Sequence, residues 1–435
     1  MKPESELDAA GRDAGRALWV ARLLLREAQI SFWLTVALLA LPLYRVRRGS
    51  MPAAIGASIA FLFRRLGATF IKIGQIMSTR PDIFPASFLE PIEELQDRVP
   101  PFPFTAVRRT LEEDFGRPLE ALFVEFGSAP VASASVAQVH RAVLADGRVV
   151  AVKVRRPAIV RRAVLDEAVL RIGARLVALI PTAKLISPVE AAEQFCHAVN
   201  QQLDFRLEAA NNRRFRRNFA DDPHVVFPEL VDELCTDRVL TMDFIEGVKE
   251  AGLEAIGNDP RFLARKGMEI ICRMIYHHGF VHADLHPGNF FWLPGNRVAL
   301  VDLGLIAELD DESRRKIALV NFYMIAGMGP ELARVFYDEA EWRDVPDYAA
   351  YEADVADFVA RIHGRPIEEL QITLLIGEIF NLLRRHRIRA RATYTVVNIA
   401  LMVVEGLGRK LDPTLNPSIE ARPWLESALS APAST

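Results

Sequence analysis

Two short runs concentrate the chemistry of this chain. FVHADLHPGNFF (280–291) sets Asp284 and Asn289 five residues apart in an apolar stretch, and VALVDLG (298–304) ends an apolar strand on Asp302. An ionised Asp in such a run is costly to bury unless it meets a cation. Gly304 is placed to let the backbone turn sharply just beyond it. Asp302 and Asn289 supply the hard oxygen ligands that Mg²⁺ prefers, and Asp284 is placed to orient or deprotonate a hydroxyl or a water. A third run, VVAVKV (149–154), puts Lys153 in a β-branched strand, where a buried ammonium needs an anion. Glu208, in LDFRLEAANNRRF, is an available carboxylate partner. Cations on phosphates, carboxylates holding metal ions and a polar group orienting the nucleophile are what phosphoryl transfer requires. The plainer reading of Lys153 is a lysine on the solvent face of its strand. A rival reading takes His282, Asp284 and His286, which alternate on a strand, as a transition-metal site. That reading leaves Lys153, Asn289 and Asp302 unexplained, whereas hydrogen bonds that orient the loop account for both histidines.

The surrounding pattern must position these groups. GATFIKIGQIMS (67–78) has apolar residues at helical spacing, and the following PDIFP (81–85) breaks it because Pro fixes φ and lacks a donor. SFLEPIEELQDRVPPFPF (87–104) predicts a short helix ending in a Pro-rich turn. TAVRRTLEEDFG (105–116) predicts a helix capped by Thr105 and closed at Gly116. From about residue 122 short β-rich runs surround an Asp146–Gly147 hairpin turn. Residues 155–180 and 188–219 are predicted helical, 227–247 return to strand character, and the chain from about 260 is mainly helical around the 280–304 hairpin. The predicted organisation is an apolar N-terminal segment (1–50), a helical extension (51–120), a β-rich lobe with inserted helices (121–248) and a helical lobe (249–435).

At 51% hydrophobic and 25% charged residues the 435-residue chain is an ordered globular protein, not a disordered one. A net charge of −3 gives no global basic field, so nucleic acid is not an expected partner. The clusters RRFRR (213–217) and RRHRIRAR (384–391) are read as solvated helix faces. Cys196, Cys235 and Cys272 are widely spaced, which argues against a disulfide scaffold or zinc finger and fits a reducing compartment. The polar, acidic opening MKPESELDAAGRD does not have the pattern of a cleavable signal peptide. AQISFWLTVALLALPLY (28–44) is a charge-free run followed by RVRR, near the lower limit of length for a membrane span. It is expected to contact a membrane by spanning it or lying at its interface; the alternative is a helix packed on the domain.

HxDxxxxN (282–289), the later DLG and the upstream VAVK strand resemble the protein-kinase-like fold, with DLG in place of DFG. Aminoglycoside and choline phosphotransferases share part of this pattern. FIKIGQIMSTRPD (70–82) is similar to the KxGQ motif of the UbiB family, also called the ABC1, AarF or ADCK/Coq8 family. ASASVAQVHRA (132–142), LDFRLEAANNRRF and EGLGRKLDP (405–413) match it too. The resemblance implies an α+β, bilobal protein-kinase-like fold with a helical N-terminal extension. It implies an atypical kinase or ATPase that binds ATP or ADP with Mg²⁺ and supports ubiquinone (coenzyme Q) biosynthesis on the cytoplasmic side of the inner membrane. Membrane lipid or a quinone precursor and other ubiquinone-biosynthesis proteins are the expected partners.

By that resemblance Lys153 is the nucleotide-phosphate lysine paired with Glu208, Asp284 the catalytic-loop Asp, and Asn289 and Asp302 the metal ligands. Lys72 and Gln75 reach into the active site from an extension that occludes the usual protein-substrate groove. Ala132, Ser133, Ala134 and Ser135 form an Ala-rich nucleotide loop; without glycines its backbone approaches phosphates less closely. The chain departs from the family at Gln202, where an acidic pair before the EAAN stretch usually carries a Glu for the KxGQ lysine; Asp204 is retained and is an alternative partner for Lys72. The other function classes open to this sequence are a nucleotide-binding scaffold with slow turnover and a small-molecule phosphotransferase, the latter disfavoured by the KxGQ segment.

Overall fold

The computed structural model describes residues 16–78, 84–95, 100–179, 188–249, 252–363 and 372–430. The PDIFP breaker falls largely outside them. The chain forms two compact units, one built from the segments ending at Ser78, Pro85–Arg213 and Pro228–Ile245, the other from Arg214–Phe227 and Glu246 onward together with Phe84.

The first unit begins with four helices, α1 (Arg16–Arg48), α2 (Met51–Leu66), α3 (Ala68–Ser78) and α4 (Ala86–Glu93). Their crossings depend on absent side chains. A Cβ on Gly56 of α2 would lie 2.1 Å from the Phe88 carbonyl oxygen. One on Gly74, in the KxGQ motif, would lie 2.5 Å from Leu95 Cδ1. Gly74 therefore serves close helix packing.

Helix α5 (Phe104–Phe115) starts two residues earlier than expected, with Pro103 at the cap position and no side-chain cap bond. Thr105 lies inside the first turn because the preset φ of Pro103 starts the helix ahead of it. Gly116, at φ 62°, closes the helix as expected. A sheet follows, made of β1 (Glu125–Phe126), β2 (Ala132–Ser133), β3 (Ala137–Val143) and β4 (Val149–Arg155). The β3–β4 turn is the predicted one: Gly147 has φ 87°, and Asp146 accepts the Arg148 amide at 2.9 Å. Helices α6 (Ile159–Val177), α7 (Pro188–Leu203) and α8 (Phe205–Asn218) come next. The expected single helix over 188–219 is broken at Asp204, whose carboxylate and carbonyl cap the amides of Arg206 and Leu207. After β5 (Val225–Val226), which belongs to the second unit, β6 (Val239–Asp243) completes the sheet in the order β1-β3-β4-β6, with β2 on β3.

β4 is buried on both faces, which is why its run is apolar throughout. Val150, Val152 and Val154 pack with Val107 and Leu111 of α5. The alternate positions, Ala151, Lys153 and Arg155, are buried as well. Arg155 donates to the Leu203 carbonyl at 2.5 Å, so the strand also secures the corner where α8 begins.

The second unit is organised around α9 (Pro260–Cys272) and a buried π-helical turn, Arg273–His277. β7 (Phe280–His282), β8 (Phe290–Leu293), β9 (Arg297–Leu300) and β10 (Ile306–Glu308) follow as two small sheets, β5-β9-β8 and β10-β7. Phe215 lies between Phe227 and Phe280, with ring centroids 5.2 and 4.7 Å away, at the centre of its core. The helices α10 (Asp311–Ala326), α11 (Gly329–Asp338), α12 (Tyr348–Ile362), α13 (Ile372–Arg385), α14 (Ala392–Leu411) and α15 (Pro417–Ser430) complete the unit. Within it, the 384–391 basic run is matched by carboxylates: Arg385 with Asp354, Arg387 with Asp344, Arg389 with Glu341 and Arg391 with Glu339.

Candidate active site

In the first unit the decisive feature is Lys153. Its neighbours across the sheet are Val139 and Leu240. Its Nζ lies 2.9 and 2.8 Å from the two carboxylate oxygens of Glu208 on α8. The residues are 8% and 4% exposed, so Lys153 is a buried ion-paired lysine and the solvent-face reading is excluded. The Phe205 ring lies 5.4 Å from the ammonium and walls one side. The register of α8 that delivers Glu208 is held from both ends. Phe205 N–H donates to the Asp237 carbonyl at 3.1 Å, and Asn212 donates to the Pro228 carbonyl at 3.1 Å.

Lys72 is buried and Gln75 half-buried on α3, which packs on α6 and α7. The Asp204 carboxylate receives the Arg206 guanidinium at 2.7 Å. Ala132 and Ser133 belong to β2, in register with Val139 and Gln138, and Ser135 is buried. Ala134 N–H closes the hairpin on the Ala137 carbonyl at 2.8 Å, so this amide serves the turn.

In the second unit the 280–291 run and the DLG turn are stitched together by backbone. Ala283 N–H donates to the Leu305 carbonyl at 3.0 Å, and Val301 N–H to the Asn289 carbonyl at 3.1 Å. β7 pairs β10 with His282 opposite Ile306. The structure thus brings Asp284, Asn289 and Asp302 onto two mutually bonded segments. His282 is fully buried, and its Nδ1 accepts the Asp284 amide at 3.1 Å. That bond leaves the proton on Nε2, which faces the Val301 carbonyl at 3.4 Å. Burial lowers the His282 pKa against the pull of the Asp284 and Asp302 carboxylates, so the ring stays neutral. His286 Nδ1 accepts the Gly288 amide at 3.1 Å. With both His282 nitrogens and His286 Nδ1 bound to backbone, the histidines shape the loop, and no cluster of metal-holding His, Cys, Asp or Glu side chains occurs among the described residues.

Two expectations about the carboxylates need correction. Of the three oxygen-bearing residues only Asn289 is buried; Asp284 is half-buried and Asp302 exposed, so desolvation does not constrain Asp302. The sharp turn also belongs to Asp302 itself, at φ 60°, and Gly304 is not left-handed. Asp is among the few L-residues that enter this region readily, through local hydrogen bonding of a short polar side chain. The strain therefore sits on the carboxylate-bearing residue.

The donor set fits Mg²⁺. Asn289 Nδ2 donates to the Asp284 carbonyl at 3.0 Å, which fixes the amide orientation and directs Oδ1 away from that bond. One amide oxygen and one carboxylate form a hard, all-oxygen set.

A residue missed from sequence is Lys249. Its Nζ donates to the carbonyls of Gly288 at 2.7 Å and Phe290 at 2.8 Å, on either side of Asn289, and lies 3.3 Å from the Phe291 ring centroid. Partial burial lowers its pKa to about 8. An exposed lysine in FIEGVKE gives no periodic signal that it grips a loop some forty residues away. The cysteines carry no comparable chemistry: all three are free, and burial pushes the Cys196 and Cys272 thiols up to about 12.

Residues 94–328 match the ABC1 atypical kinase-like domain, and residues 355–416 match the UbiB helical domain. A probable protein kinase UbiB from Aeromonas hydrophila is 35% identical over 383 residues, covering 86% of this chain and 70% of that protein. The corresponding protein from Vibrio cholerae serotype O1 is 32% identical over 394 residues, covering 88% and 72%. Among solved structures, the erythromycin complex of a Mycobacterium tuberculosis protein is similar at 26% identity and a TM-score of 0.49, covering 78% of this chain and 91% of that one.

Proposed function

This chain belongs to the ABC1/UbiB family of atypical kinase-like proteins, and from that membership we propose an ATP- and Mg²⁺-dependent phosphoryl-transfer enzyme that supports ubiquinone biosynthesis on the cytoplasmic side of a membrane. The observation that carries the reading is the buried, two-oxygen contact between Lys153 and Glu208. A fully paired ammonium with an aromatic wall is held in one position, as a lysine serving nucleotide phosphates must be.

Asp302 and Asn289 Oδ1 would hold Mg²⁺, which when bound neutralises charge on the nucleotide phosphates. Asp284 orients the attacking hydroxyl or water and accepts its proton; His282 fixes the Asp284 amide, and Lys249 fixes the backbone on both sides of Asn289. Because the Ala134 amide closes its own hairpin, it is not offered to a phosphate as a Gly-rich loop's amides are. This favours a phosphate contact made chiefly through the Lys153 side chain and not through loop amides, and an acceptor that is water or a small molecule. Lys72 and Gln75 on α3 are assigned as regulators of the same site, with Asp204 as the carboxylate nearest in role to the missing Glu.

The test is quinone content in a strain lacking the protein, complemented with wild type or Asp284→Asn. Wild type should restore quinone and Asp284→Asn should not. Full rescue by Asp284→Asn would replace catalysis with a scaffold role, and normal quinone in the uncomplemented strain would remove the biosynthetic role.

A further inference from the structure

We propose that α1 docks lengthwise in the interfacial plane of a lipid bilayer and does not cross it; this rests on the membrane reading above and specifies its geometry. Ala21–Arg48 is long and apolar enough to span a bilayer, and only 6% of its most apolar window is buried. Its exposed apolar side chains occupy the half of the helix turned away from the protein. Leu25, Phe32, Leu39 and Val46 recur every seven residues and are 72%, 60%, 76% and 82% exposed. Together with the exposed Leu24, Leu34, Leu38 and Leu43 they fall within one half of the helix circumference, which is an apolar face and not an all-round apolar surface.

The other face is committed to protein. Arg26 Nε lies 2.6 Å from Asp166 of α6, which is 1% exposed, and Arg26 Nη2 donates to the Leu66 carbonyl at 2.8 Å. Trp33 packs edge-on against Phe61 of α2 with centroids 6.0 Å apart, and the Arg65 guanidinium lies 4.9 Å over the indole. Ala37 is 3% exposed. Crossing the bilayer would strip α1 from these contacts and leave Asp166 buried without the Arg26 cation.

Nor can α2 travel with α1. It follows after only Gly49 and Ser50, yet its Gly56 is in backbone contact with Phe88 of α4. In-plane docking breaks none of these contacts. Length agrees: at about 1.5 Å per residue the 33-residue helix is about 50 Å long, against a hydrocarbon core of about 30 Å. Exposed Arg22 near one end and Arg45, Arg47 and Arg48 at the other suit anionic headgroups.

The test uses full-length protein in two arms. Purified wild type and Leu39→Glu are floated with vesicles of phosphatidylcholine containing phosphatidylglycerol. Arg22→Cys and Arg47→Cys are expressed in bacteria and treated with a membrane-impermeant maleimide, in spheroplasts and in inverted membrane vesicles, with wild type as background. The proposal predicts flotation of wild type, at least ten-fold weaker flotation of Leu39→Glu with an unchanged melting temperature, and labelling of both cysteines only in inverted vesicles. Labelling of one cysteine from each side would establish a span and overturn the in-plane geometry while leaving the membrane reading intact. Absence of flotation would overturn that reading itself. A dimer in light scattering that Leu39→Glu dissolves, without flotation, would assign the stripe to a second copy of the chain and also overturn the proposal.

Discussion

Removing the carboxylate from the Lys153–Glu208 pair tests the site where its energetics are largest. Glu208→Ala leaves a buried ammonium, with Nζ previously 2.8 Å from carboxylate oxygen, facing a space where the carboxylate was. Breaking a buried pair from one side costs about 3–5 kcal/mol, because the remaining charge stays desolvated. For a unit of roughly 200 residues, 1 kcal/mol corresponds to about 2–4 °C in melting temperature, so the expected loss is roughly 6–20 °C. The double variant Lys153→Met/Glu208→Leu removes the charge as well as its partner and should recover most of that loss. Melting followed by circular dichroism without nucleotide, on both single variants and the double, reads the coupling. A loss under about 2 °C for Glu208→Ala would equal that of an exposed pair and refute the burial argument. Strict additivity of the single losses would refute the coupling.

Three other outcomes follow from particular contacts. Lys249→Met should weaken Mg²⁺-dependent nucleotide binding about ten-fold while changing melting by under about 1 kcal/mol, and Lys249→Arg should restore much of it; calorimetric titration checks both. His278→Asn should flatten the acid side of the stability profile. Burial, His277 and Arg273 lower the folded His278 pKa to about 4, whereas the unfolded imidazole takes its proton near 6.5. Between these values the unfolded chain binds more protons, so wild-type stability falls as pH drops from 6.5 towards 4, and melting against pH for the two proteins isolates this share. Gly56→Ala should destabilise despite alanine's helical advantage of about 1 kcal/mol, because its Cβ would meet the Phe88 carbonyl; a raised melting temperature would show that α2 and α4 separate freely.

The elements that carry strong local signals were legible. The Asp146–Gly147 hairpin, the Gly116 helix stop and the strand around Lys153 are each dictated by a turn residue or an uninterrupted β-branched run. What sequence could not show was tertiary. Thr105 looked like a cap until Pro103 started the helix ahead of it. Asp204 split a continuous helical pattern because its side chain could satisfy the next helix's amides. Asp302 looked buried because its neighbours are, yet one left-handed residue turned it to solvent. Lys249 was invisible because its partners are backbone carbonyls far along the chain, which no residue pattern encodes.

We propose above all that Asp302 is a magnesium ligand for a bound nucleotide. Asn is the appropriate replacement, since it too tolerates the left-handed backbone at φ 60° and so preserves the turn while removing the charge. Thermal shift of wild type and Asp302→Asn with ADP, with and without Mg²⁺, measures it directly. A Mg²⁺-dependent rise in melting temperature is expected for wild type and none for Asp302→Asn, with equal melting temperatures before nucleotide is added. A Mg²⁺-dependent rise that survives undiminished in Asp302→Asn would contradict it.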